Sequence, residues 1–123
     1  MITNMVQYQK RVREWVETCF GEKIADDRVE RNHRFLEEAL ELVQSAGCNK
    51  DEALRLVDYV YGRPEGEIYQ EVGGTITTLC ALCEANKIDL ACAANDELDR
   101  IWDNVEKIRK KQAEKPKNSP LPQ

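Results

Sequence analysis

Apolar residues return every three or four positions along most of this chain, and no strand-type alternation of apolar with polar residues appears anywhere. That period restricts the fold to packed helices, and the punctuation divides them. From about Asn4 to Phe20, Val6, Val12, Trp15, Val16 and Cys19 recur at helical intervals before Gly21 supplies a stop. Asp26 or Asp27 is placed to cap the next helix, with Glu30 reinforcing its start, and that helix runs to Ala46 and ends at Gly47. Asn49 caps a third helix through Asp51, Leu54, Val57 and Val60, broken at Gly62-Arg63-Pro64. A fourth starts near Glu65 to Glu67 and continues to Asn86, with Ile68, Val72, Ile76, Leu79, Leu82 and Cys83 on its apolar side. Gly73 and Gly74 inside it cost about 1 kcal/mol each relative to alanine, so they imply a kink, or a close approach by another backbone or a bound group. Leu90 to Ala113 reads as a short helix followed by a longer one through Leu98, Ile101, Trp102, Val105 and Ile108, and residues 115–123 form a proline-broken tail.

Short connections favour antiparallel neighbours, so the expected fold is all-α, an antiparallel four- to five-helix bundle in one helical domain spanning 1–114. A length of 123 residues, 41% of them hydrophobic, fits one core. The net charge of -5 argues against a nucleic-acid surface. Without an apolar run of about 20 residues no membrane span is expected, and the first residues do not read as a secretory signal. Five cysteines, an odd number set mostly within apolar stretches, point to a reducing cytoplasm. Cys80 and Cys83 form a CxxC with no second pair to complete a zinc site, so they read as small core residues.

The stretch from Arg34 to Val43 carries the most chemistry. Leu36, Ala39, Leu40 and Val43 form its apolar stripe, while Glu37, Glu38 and Glu41 crowd one flank. Like charges at those spacings repel by about 0.2–0.5 kcal/mol per pair, so helix stability does not ask for them. Two readings fit: a solvated acidic face, or half of a site for a hard, oxygen-seeking cation such as Mg²⁺. A second acidic element lies on the fourth helix, where Glu67 and Glu71 are four apart and Glu71 falls on the shoulder of the apolar sector. If the second and fourth helices are neighbours, Glu38, Glu41 and Glu71 can converge on one ion.

The pattern Glu37-Glu38-Ala39-Leu40-Glu41, followed about thirty residues later by Glu71, resembles the EExxE and ExxD pair of the MazG-like all-α nucleoside triphosphate pyrophosphohydrolases, which include dimeric dUTPases and dCTP pyrophosphatases. The likeness extends from about Glu30 to Pro122 through Val57-Asp58-Tyr59-Val60-Tyr61-Gly62-Arg63-Pro64 and Glu71-Val72-Gly73-Gly74. It departs at Gly74, where the family pattern places an aspartate, and Glu67 one turn earlier is the available substitute. The resemblance implies cleavage of a (deoxy)nucleoside triphosphate between its α and β phosphates. Glu38, Glu41, Glu71 and Glu67 would hold Mg²⁺ or Mn²⁺, and Glu37 with Glu38 would be catalytic, Glu37 positioning or deprotonating the attacking water. It further implies a homodimer or homotetramer.

Substrate-binding candidates are Asn32 and Arg34 just ahead of the acids, Lys107 and Lys111 on one late helical face, and Trp15 for base stacking, although Trp15 also sits at core spacing. Late basic residues equally suit a helix C-terminus. Two other classes fit the residues: a nucleotide- or metal-binding regulator weakened at Gly74, and a structural helical module whose acids are surface.

Overall fold

A computed structural model describes residues 4–114, and among these the chain is all-helical, with seven helices and no strand. They are α1 (Met5–Phe20), α2 (Glu22–Ala25), α3 (Arg28–Ser45), α4 (Lys50–Tyr61), α5 (Ile68–Ala85), α6 (Leu90–Trp102) and α7 (Val105–Ala113). The tail expected at 115–123 lies outside the described residues. Where the sequence reads as one domain, the helices gather into two compact units. The first runs to Glu37 and resumes at Ala91, and the second is Glu38–Leu90.

The seven helices differ from the elements read off the sequence in two local ways. The link after Gly21 winds into the single turn of α2. The last stretch also divides opposite to expectation, the longer piece coming first: α6 has 13 residues and α7 has 9. Asn104 makes the break. Its backbone N–H turns to the Ile101 carbonyl at 3.2 Å, and its side-chain Nδ2 donates to the Arg100 carbonyl at 2.7 Å, so the carboxamide competes with the helical ladder.

The first unit is built on α1. Asn4 Oδ1 accepts the Gln7 N–H at 2.8 Å to start it, and Gly21, at φ +92°, stops it by donating to the Glu17 carbonyl. The Asp27 carboxylate caps α3 through the Glu30 N–H at 3.0 Å. Val16, Cys19 and Leu98 form the buried apolar centre, with Leu98 only 1% exposed. The helix packs closely on α2 and α7. Three side chains then button it to later backbone: Tyr8 Oη to the Ala94 carbonyl (2.9 Å), Trp15 Nε1 to that of Ile101 (3.0 Å) and Cys19 Sγ to that of Val105 (3.8 Å). Each pair is 86 residues apart, so α1 runs parallel to α6 and α7 in constant register. Arg109 closes the end by donating to the carbonyls of Cys19 and Thr18, placing a cation at the α1 C-terminus. Desolvation pushes both the Tyr8 hydroxyl and the Cys19 thiol above their ordinary pKa ranges.

The second unit has well-formed ends and no buried side chain. The helix ending at Ser45 closes at Gly47, φ +103°, with the Cys48 N–H returning to the Val43 carbonyl at 2.9 Å. The same return, Ile88 to Cys83 at 2.9 Å, ends α5, but there Lys87 takes the left-handed position at φ +57°. Asn49 and Glu52 form a reciprocal capping box at 2.9 Å each way. Along α4 and the start of α5 the large apolar side chains lie open, up to 82% at Ile68 and 85% at Tyr69, whereas Ile76, Leu79 and Leu82 further along α5 are half-buried. Gly73 and Gly74 sit within the helical span of α5, and among the described residues a Cβ at either would meet nothing within 4 Å, so no described backbone makes the close approach that was one of the expectations. Cys80 is exposed, not a core residue, and all five cysteines are free thiols. Among the described residues no helix is long and apolar enough to cross a membrane.

Candidate functional site

The four carboxylates expected to hold a metal, Glu38, Glu41, Glu67 and Glu71, all belong to the second unit and all are exposed. Glu38 and Glu41 lie three apart on α3. Glu67 is spent differently. It is the N-cap of α5, and its Oε2 accepts the Gln70 N–H at 3.0 Å, a role that follows from the free backbone donors of any helix start. Glu71 occupies the first turn of α5, where the helix dipole favours a negative charge. Its carboxyl carbon lies 3.2 Å from where a Cβ on Gly66 would stand, a close approach that this exposed side chain relieves by swinging a few tenths of an ångström aside. It is therefore at an exposed helix start and not against an apolar sector. Among the described residues no three histidine, cysteine or acidic side chains stand close enough to share a cation.

The structure instead brings together a polar cluster in the first unit that includes two of the expected residues. Glu30, 3% exposed, is its centre. Its Oε1 accepts from Arg31 Nη2 (2.9 Å), Arg34 Nε (3.1 Å) and Gln112 Nε2 (3.3 Å). Arg34 reaches onward, donating from Nη1 to Glu37 Oε1 at 2.9 Å and from Nη2 to Gln112 Oε1 at 2.7 Å. The candidate base Glu37 is thus oriented by a guanidinium that is itself clamped, and a buried carboxylate is matched by charged donors as its desolvation requires. Arg31 also lies over the Phe20 ring, 5.9 Å from its centroid, and its buried Nε has no hydrogen-bond partner.

Of the remaining expected residues, Asn32, Lys107 and Lys111 are exposed, the two lysines on α7. Trp15 is a packing residue: its N–H is given to Ile101, and its ring meets Phe20 edge-on with centroids 5.6 Å apart. Glu30 and Gln112 did not emerge from the sequence as members of a cluster. The signal for half of it was there, because Glu30 and Arg34 are four apart on a helix, an ion-pair spacing. Gln112 left none, being 82 residues from Glu30.

Comparison of the chain with protein-family models, with curated proteins and with solved structures finds no match.

Proposed function

We propose that this chain is a Mg²⁺- or Mn²⁺-dependent nucleoside triphosphate pyrophosphohydrolase on a MazG-like helical scaffold, acting in the cytoplasm. The observation that carries the reading is the segregation of charge. Residues 38–90 hold ten acidic and four basic side chains, net −6, whereas the rest of the chain holds thirteen acidic and fourteen basic. Every one of those ten acids is exposed, and they include the three of the resembled motif, Glu38, Glu41 and Glu71, that no helix cap engages. A surface of that sign takes up a polyphosphate only with cations between them, which is why the reading requires a divalent ion. In the reaction, water attacks phosphorus, its proton passes to Glu37, and the bond between the α and β phosphates breaks to release pyrophosphate. Glu37 suits that role because Arg34 fixes its orientation at 2.9 Å.

The test is pyrophosphate release from a panel of deoxynucleoside triphosphates with Mg²⁺. The expected result is turnover with at least one of them, lost by about a hundredfold or more in Glu38→Gln. Tight nucleotide binding without turnover selects a second reading, a nucleotide-binding regulator, which the capping duty of Glu67 and the glycine at position 74 favour. No rise in melting temperature with any divalent ion, and no turnover, leaves a structural helical module.

A further inference from the structure

We infer that Arg63, held over the ring of Tyr59, is a binding site for the polyphosphate chain of a small ligand. The two residues stand four apart across the end of α4, which closes at Gly62. The Arg63 guanidinium carbon lies 4.4 Å from the Tyr59 ring centroid, and its Nη1 donates to the Tyr59 hydroxyl at 3.1 Å. The backbone is fixed as well. The Arg63 N–H donates to the Val60 carbonyl at 3.2 Å, and Pro64 restricts the conformations open to the residue before it. An arginine on an open surface ordinarily loses rotamer freedom when it grips an anion, and here the ring has already removed much of that freedom.

No carboxylate neutralises this guanidinium among the described residues. Of the four cations in residues 38–90, Arg55 is paired with Asp51 at 2.9 Å, while Lys50 and Lys87 are point charges on flexible stems. Glu65, Glu67 and Glu71 follow Arg63 within eight residues, yet among the described residues it forms no ion pair with any of them. Glu67 Oε2 takes the Gln70 N–H, and the Glu71 carboxyl lies beside Gly66. A guanidinium carries five N–H donors, of which the Tyr59 hydroxyl occupies one. The rest form a planar fork on an exposed side chain, the geometry that takes two phosphate oxygens side by side.

The surrounding charge narrows the ligand. With a net −6 on this unit, an acidic protein or a nucleic acid is repelled along its whole length. A polyphosphate chain is compact and travels with Mg²⁺, which reduces its charge and can lie between it and the carboxylates of this unit while other oxygens meet Arg63. Lys107 and Lys111, the phosphate candidates read from the sequence, belong to the other unit. The site deepens the hydrolase reading by naming a residue that grips the substrate, and it rests on that reading only for the nucleoside.

Calorimetric titration of the full chain in Mg²⁺ with α,β-methylene analogues of the deoxynucleoside triphosphates, and with inorganic tripolyphosphate, tests it. Both ligands are expected to bind, and Arg63→Ala to weaken both by about tenfold or more. Arg63→Lys is expected to restore only part of the affinity, because an ammonium offers no fork. Tyr59→Ala, which removes the ring, should weaken binding by about two- to fivefold, and Tyr59→Phe, which keeps it, by less. Both positions are exposed, so the variants are expected to melt with the unaltered chain, which separates lost binding from misfolding. Tighter binding of the analogues makes the ligand a nucleotide, and equal affinity makes it polyphosphate from any source. Affinities unchanged in Arg63→Ala overturn the inference, as does tripolyphosphate that does not bind. Pyrophosphate release with kcat and KM unchanged in Arg63→Ala leaves the hydrolase standing without this site. Arg63-dependent binding with no release keeps the site and refutes the hydrolase.

Discussion

The two units spend similar amounts of helix on opposite ends. Around α1, three apolar side chains and a carboxylate are buried, and the side chains of Tyr8, Trp15, Cys19 and Arg109 each reach a carbonyl 86 to 91 residues away. Between Glu38 and Leu90 the caps, threonine back-bonds and i,i+4 pairs join partners that lie within four residues of each other. Local chemistry is therefore enough to draw helices with clean ends, and it is not enough to bury them. Caps and propensity contribute tenths of a kilocalorie to about one each, whereas a core contributes several per residue.

The contrast is sharpest for apolar truncation. Leu98→Ala is expected to lower the unfolding free energy by about 2–5 kcal/mol, and Leu56→Ala, measured on dilute protein, by less than about 0.5 kcal/mol. Equal losses in urea melts would erase the distinction between the units. Carboxylates should divide in the same way. Glu30→Gln removes the charge that Arg31 and Arg34 surround and is expected to cost about 2 kcal/mol, while Glu71→Gln should leave thermal stability within about 0.5 kcal/mol. Next in size is Asn49→Ala, which deletes one side of a capping box and is expected to cost about 1 kcal/mol, seen as faster amide exchange in the first turn of α4 only. Smallest is a pH effect. The hydrogen bond from Arg13 holds the exposed Asp26 carboxyl below its usual range, so its contribution is complete above that range and disappears as pH falls below about 4 and through the lowered value. In Arg13→Gln the melting temperature should lose this part of its acid dependence. An unchanged acid limb in the variant would show that the pair contributes nothing.

What could be read from the residues follows the same division. Asn4, Gly21, Gly47, Asn49 and the break after Tyr61 were legible because each acts on backbone within a few positions, and all fall where the pattern puts them. Lys87 was not, since nothing in a lysine announces a left-handed cap normally given to glycine or asparagine. Nor was the parallel register of α1 with α6 and α7, because periodicity marks which face is buried and not which helix covers it. Among the candidate residues, the acidic pattern was visible as spacing, but whether Glu67 holds an ion or a helix N–H depends on where α5 begins, a matter of one residue. Glu30 shows the converse. A carboxylate three positions beyond an N-cap looked like the other half of a capping box, and the arginines beside it drew it inward.

The register between Tyr8 and Ala94 has a consequence during synthesis. The segment bearing Trp15 and Val16 emerges from the ribosome long before the backbone it is to grip, and at about 5–20 residues per second the 86 intervening positions take roughly 4–17 s to appear. For that interval a strip of tryptophan, valine and cysteine has Phe20 and α2 beside it but lacks the cover that α6 and α7 bring, and a newborn copy offers that side to whatever chaperone or sister nascent chain is near.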